Sequence, residues 1–152
     1  MSSWSEFNID APELASFGRA RFQYRTAYLA TIRADGSARV HPVSPMLAGD
    51  GLFVYMEPTS PKGHDLRRDA RYAMHCAVED NSGGQGEFLV RGTARMIFDA
   101  SVREQTFEHA RRIGFEPQER YVLFELSVEE AMSTVYEDGE PKRTRWVQKK
   151  ST

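Results

Sequence analysis

The sequence predicts a mainly β, α+β domain: an antiparallel barrel or sandwich carrying peripheral helices. Short runs rich in β-branched and aromatic residues recur between turn signals, as in "LFVYME", "YAMHCAV", "EFLVRGTARMIF" and "YVLFELSV". A few amphipathic segments accompany them without the regular strand–helix alternation of a parallel α/β sheet. No GxGxxG dinucleotide fingerprint occurs in the chain.

Bulk properties narrow the class. At 152 residues the chain is most simply one domain, spanning 1–152, large enough to bury a core without staples. Its formal net charge of −2 argues against a broad nucleic-acid footprint, which needs a basic face. The lone Cys76 rules out an intrachain disulfide and a Cys-rich metal site, and it suits a reducing compartment. "MSSWSEFNID" lacks the basic and apolar regions of a signal peptide. No apolar run approaches the ~20 residues that cross a bilayer. The expectation is a cytoplasmic protein with no membrane and no nucleic-acid partner.

The elements follow in order. "DAPELASFGRARFQYR" predicts a helix over about 11–22, with Asp10 as N-cap, Pro12 in the first turn, and Leu14, Phe17 and Phe22 turned inward. Gly18 weakens its second half. Tyr28 to Arg33 and the stretch through Val43 read as two strands joined at Asp35-Gly36, a two-residue hairpin signal in which both positions take φ > 0. Alternation places Arg39, His41 and Val43 on one face of the second strand and Val40 and Pro42 on the other, while Pro42 and Pro45 suit an edge. "AGDG" (48–51) is a turn, and "LFVYME" is a third strand. "YAMHCAV" (72–78) is a fourth, "EDNSGGQG" a loop, and 87–98 a long fifth strand bent at Gly92. "DASVREQTFEHARRI" is a second helix opening at Asp99 or Ser101, with Val102, Phe107 and Ala110 inward. Two later strands, a turn at "EDGEP" and a final strand or tail over "KRTRWVQ" complete the chain, with 143–152 as its C-terminal tail.

The stretch "EPTSPKGHDLRRDARYAMHC" (57–76) concentrates cations just after a helix-start signal. Ser60 followed by Pro61 is a helix entrance: the serine oxygen caps a free amide, and proline loses no hydrogen bond at the first position. Amides at such an end attract anions, and Lys62 can place an ammonium beside them, with Thr59 and Ser60 adding hydroxyls. The competing reading is an ordinary solvated helix whose charge Asp65 and Asp69 partly neutralise.

The motif order, a hairpin with "ADGSARVHPV", then "SPKGHDLRRDARYAMH", then "RGTARMI", resembles the flavin-binding split β-barrel family related to pyridoxamine 5′-phosphate oxidase. The resemblance covers 25–136 and extends more loosely to Trp146. It implies an antiparallel split β-barrel with peripheral helices and an FMN-dependent oxidoreductase acting on a small-molecule substrate. It further implies a homodimer with a flavin in each intersubunit groove. Carried over to this chain, the FMN phosphate falls to Ser60, Lys62 and Arg39. The isoalloxazine falls beside Val40, His41, Pro42 and Val43 and along Tyr55, Met56 and Glu57, with Thr59, Glu87 and Trp146 completing the cofactor-binding set.

Ser44 and Glu87 depart from the oxidase itself, which has a basic residue and a glutamine there; Arg91 and Arg95 are the expected partners of Glu87. The arginine-rich C-terminal pattern for pyridoxal phosphate is reduced to Arg143, Arg145 and Trp146. Two alternatives therefore stand beside FMN: the deazaflavin coenzyme F-420, with Arg67, Arg68 and Arg71 facing its longer anionic tail, and a non-catalytic flavin or haem binder. His41 is read as a hydrogen-bonded barrel residue, with proton donation or haem contact as its other role. Trp146 either stacks on the cofactor or anchors the tail to a partner subunit. Adjacent His75 and Cys76 point to opposite faces of a strand, so no metal site is expected. Cys76 reads as an inert core thiol. No side chain stands out as an acid–base catalyst.

Overall fold

The computed structural model describes residues 3–150. Helices α1 (Trp4–Asp10) and α2 (Pro12–Phe22) precede the hairpin β1 (Ala27–Ile32) and β2 (Ala38–Val43). Strands β3 (Met46–Ala48) and β4 (Gly51–Met56) lead into α3 (Pro61–Arg68), then β5 (Arg71–Cys76) and β6 (Glu87–Met96). Helix α4 (Ala100–Arg112) is followed by β7 (Val122–Leu126), β8 (Glu130–Glu137) and β9 (Glu140–Val147). Every strand pairing is antiparallel, in the order β2-β1-β5-β6-β7-β4-β3, with β8 and β9 branching from β6. This is the mixed α+β split barrel that the sequence predicts. Among the described residues no helix is long and apolar enough to cross a membrane.

The sheet curls because β6 changes neighbours along its length. Residues 87–91 pair with β8, and residues 94–96 pair with β7, while β5 runs along the opposite side. The changeover is at Gly92, where an added Cβ would meet the carbonyl oxygen of Ser127 at 2.2 Å. Ser127 returns the favour in hydrogen bonds: its N–H donates to Thr93 O (2.9 Å) and its hydroxyl accepts from Thr93 N (2.9 Å). The expected bend at Gly92 is thus the point where two half-sheets diverge.

The structure differs from the sequence expectation in several local features. Asp10 is the last residue of α1 rather than a cap; α2 starts after Ala11, which supplies no side-chain cap. The missed α1 has its own entrance, since Ser3 Oγ accepts from Glu6 N, and "SWSE" is a capping-box pattern. At the first hairpin, Gly36 N donates to Arg33 O and Gly36 alone takes positive φ (84°), giving a three-residue loop of the turn-plus-bulge type. The two-residue turn with both residues at positive φ occurs instead at Asp138-Gly139 (52° and 79°), and it makes the tail a full strand, β9, paired to β8. The structure also adds the short β3, paired to β4, which the sequence does not signal.

Phe88 sits at the centre of an aromatic cluster with Trp4, Phe7, Phe17 and Phe22, its nearest ring being Phe22 at 5.1 Å. Helix α2 approaches so closely there that a Cβ on Gly18 would stand 2.3 Å from the Phe88 ring. The opposite face of the sheet is less covered: Tyr28 and Val40 are 45% and 64% exposed, and Ala73, Leu89 and Met132 are only half-buried. Gly18→Ala should destabilise the fold by ~1–3 kcal/mol through overpacking, although alanine is the better helix former by ~1 kcal/mol. Chemical denaturation measures this directly; a stabilised variant would contradict the close approach.

Candidate functional site

One hollow gathers several of the expected residues. Pro42 and Val43 at the end of β2, Tyr55, Met56 and Glu57 at the end of β4, and Lys62 in the first turn of α3 line a cavity of about 520 Å3. The start of α3 is pressed onto β4. Gly63 makes this possible, since a Cβ there would meet Met56 Sδ at 3.1 Å and Ser60 Oγ at 3.0 Å. Ser60 is the N-cap, its hydroxyl oxygen accepting from Gly63 N at 3.2 Å. Thr59 is exposed beside it.

Lys62 is half-buried, and burial lowers its pKa by disfavouring the ammonium. Among the described residues it forms no ion pair. The carboxylate of the same hollow is committed elsewhere: Arg120 Nε donates to Glu57 Oε2 at 2.9 Å and Nη2 donates to Oε1. That hydrogen-bonded guanidinium holds the Glu57 carboxyl below the usual range.

Other walls come from residues outside the expected set. Tyr24, Phe115 and Tyr121 line the hollow, and the rings of Phe115 and Tyr55 lie 6.0 Å apart. Phe115 is turned back by Gly114 (φ 87°), with its N–H donating to Ala110 O at the end of α4. The signal was present in "RRIGF", a basic last turn followed by glycine, which marks a helix stop. Tyr24 holds φ at 60°, a left-handed conformation that costs a non-glycine residue ~1–2 kcal/mol. No sequence signal marked it.

The remaining expected residues lie apart. Arg39 borders a neighbouring hollow of about 410 Å3 with Pro61, His64, Asp65 and Arg68, and its Nε donates to Asp65 Oδ2 at 2.7 Å. Val40 lies on the outer face of the edge strand; His41 is exposed, with Nδ1 2.9 Å from Pro42 O. Glu87 accepts from Tyr136 OH at 3.0 Å and has His75 Nε2 at 3.8 Å; Arg95 instead pairs with Glu125. Trp146 packs on Phe7 of its own chain, ring centroids 5.0 Å apart. Among the described residues no group of three His, Cys, Asp or Glu side chains could hold a metal ion.

The family model described as pyridoxamine 5′-phosphate oxidase matches residues 19–134, from within α2 to within β8, a span that includes both hollows. The chain belongs to the pyridoxamine 5′-phosphate oxidase family. No curated protein matches the sequence. Solved structures share the family fold at low identity. The conserved hypothetical protein Rv2991 of Mycobacterium tuberculosis has TM-score 0.65 at 18% identity, with 81% of this chain and 82% of that one covered. A heme binding protein of Mycobacterium smegmatis has TM-score 0.64 at 16% identity, covering 85% of this chain but 55% of its own. The heme storage protein HutZ of Vibrio cholerae has TM-score 0.59 at 17% identity, with 90% and 93% covered.

Half-burial of Lys62 gives an expected outcome independent of any ligand. After reductive 13C-methylation, NMR titration should show Lys62 losing its proton at lower pH than a dimethyl-lysine peptide standard. Titration coincident with that standard would remove the electrostatic distinction of this hollow.

Proposed function

We propose that this chain binds FMN in the hollow beside α3 and serves as an FMN-dependent oxidoreductase. The observation that carries the reading is Lys62: an ammonium drawn half out of water, without an ion-pair partner among the described residues, in a hollow with aromatic walls. A half-desolvated cation is costly unless an anion meets it, and a ligand phosphate answers that need. The cavity, about 520 Å3, lies within the ~300–1,000 Å3 usual for ligand sites. The residues therefore fit a flavin. Lys62 and the Ser60 hydroxyl would hold its phosphate, and Pro42, Val43, Tyr55 and Met56 would border its ring. When bound, the flavin supplies hydride and electron transfer, and the protein binds and orients it.

Family relationship also supports a homodimer. Tyr28 and Val40 leave an apolar sheet face open beside the β2 edge, and a second copy would cover it and supply the far wall of each groove. Glu87 and Trp146 do not line this hollow and are engaged within the chain by Tyr136 and Phe7, so this reading gives neither a contact with the flavin of its own hollow. A small-molecule substrate would enter from the open side.

The deazaflavin reading is less favoured, because none of Arg67, Arg68 and Arg71 lines the hollow that holds Lys62. A second reading, a flavin or haem binder without turnover, draws on Glu57: the carboxylate of the hollow is locked by Arg120 and unavailable as a base. The haem-named structures share only the fold with this chain.

Lys62→Ala should weaken FMN by ~1.5–3 kcal/mol while leaving riboflavin nearly unchanged, read by flavin fluorescence titration. Equal losses for both ligands would defeat the phosphate assignment. A bound flavin that no common donor reduces would favour the binder over the enzyme. Val40→Asp, placed on an exposed position, should convert the dimer to monomer in sedimentation without lowering monomer helicity or strand content. A native-like dimer in that variant would move the interface elsewhere.

A further inference from the structure

Asp65 is 3% exposed, yet it carries a charge that the flavin site has no direct use for. Both of its oxygens are engaged. Oδ2 accepts from Thr31 Oγ1 and from Arg39 Nε, each at 2.7 Å, and Oδ1 accepts from Arg68 Nη2 at 2.8 Å. Thr31 and Arg39 face one another across the β1–β2 ladder, so a single carboxylate on α3 ties down neighbouring positions on both strands. Arg68 continues the tie by donating to Ile32 O at 3.1 Å. Hydrogen bonds from Arg39 and Thr31 hold the Asp65 carboxyl low despite the burial that opposes its charge.

The engagement of Arg39 is partial. Only Nε is used; among the described residues neither terminal nitrogen has a hydrogen-bond partner. The guanidinium is a rigid planar fork, so fixing Nε fixes the direction of the two free nitrogens as well. Arg39 is 30% exposed and borders the hollow whose wall includes Pro61, the residue between the Ser60 cap and Lys62. Cations exceed anions around that hollow: Arg33, Arg39 and Arg68 face Asp65, which is paired, and Asp35, whose Oδ1 already accepts from the backbone and hydroxyl of Ser37.

We propose that Asp65 is a positioning residue: it holds Arg39 by Nε so that the two terminal nitrogens meet the phosphate of the flavin at the start of α3. This rests on the flavin reading above and assigns the geometry of its anionic end. Electrostatics alone makes the opposite forecast. A carboxylate beside the arginine should repel a phosphate, so removing its charge should strengthen binding. Positioning requires that binding weaken, because the arginine must then be ordered at the moment of binding.

The experiment compares wild type with Asp65→Asn, Arg39→Lys and the double variant, titrating each with FMN and with riboflavin. Asp65→Asn should weaken FMN by about tenfold or more and riboflavin by less than about twofold, the scale of one charge-assisted hydrogen bond. Arg39→Lys should do the same, since lysine cannot bond the carboxylate and also present a fork. The double variant should lose no more than either single one. Tighter FMN binding by Asp65→Asn, equal losses for both ligands, or additive losses in the double variant would each overturn the proposal.

A second measurement needs no flavin. In 15N-labelled wild type the Arg39 Nε–H signal, assigned by its absence in Arg39→Lys, should be slowly exchanging, and inorganic phosphate should shift it. Asp65→Asn should abolish that protection. Protection that survives in Asp65→Asn, or a wild-type signal indifferent to phosphate, would also overturn it. Failure of wild type to bind FMN, with both NMR results as expected, would instead defeat the flavin reading and leave Arg39 as an anion site.

Discussion

The fold depends on one close approach, where the Ser127 carbonyl lies against the missing side chain of Gly92. Strand β6 could not otherwise pair with β8 over one half and β7 over the other. Any side chain at this point would push the β7–β8 connection outward and separate two half-sheets that share a core. Tyr72 reinforces the junction from β5, its buried hydroxyl donating to Ser127 O at 2.6 Å. The candidate site lies downstream of that constraint: β7 aligns β4, which ends in Tyr55 and Met56 and leads into Glu57, and β5 follows directly from α3.

Two hollows with different chemistry flank the first turn of α3. On one side a half-buried ammonium stands among aromatic rings; on the other a buried carboxylate organises guanidinium groups. Burying Asp65 is tolerable only because three donors meet its two oxygens, for a carboxylate stripped of water without them would take up a proton. Both hollows use the same short helix as a wall, so its placement against Met56 matters for each.

Much of this was legible in the chain because local chemistry and tertiary structure agree. Ser60-Pro61 reads as a helix entrance and is one; Gly92 reads as a bend and is one; Asp99 caps α4 through Val102 N as expected. Misreadings arose where two local signals competed. Asp10 and Ser3 both suit a cap, and the helix that begins earlier wins because Trp4 and Phe7 bury completely. Asp-Gly occurs at two hairpins, and only ladder register separates the bulged loop from the tight turn. In the site, residues beside the Ser-Pro-Lys motif could be named, whereas Tyr24, Phe115 and Arg120 arrive through packing between distant segments. The Asp65–Arg39 bond was similarly hidden, since spacing along α3 shows a neutralising charge but not which strand it reaches.

The ring contact between Phe7 and Trp146 joins the opening helix to the last strand. β9 is otherwise an outlying ribbon, paired on one side only, with its residues from 140 to 145 exposed. Fraying at either end must therefore break the same tilted ring contact, and the two segments should open as one cooperative unit rather than independently. The slowest amide exchange in β9 would then lie next to Trp146, not at the hairpin turn that starts the strand.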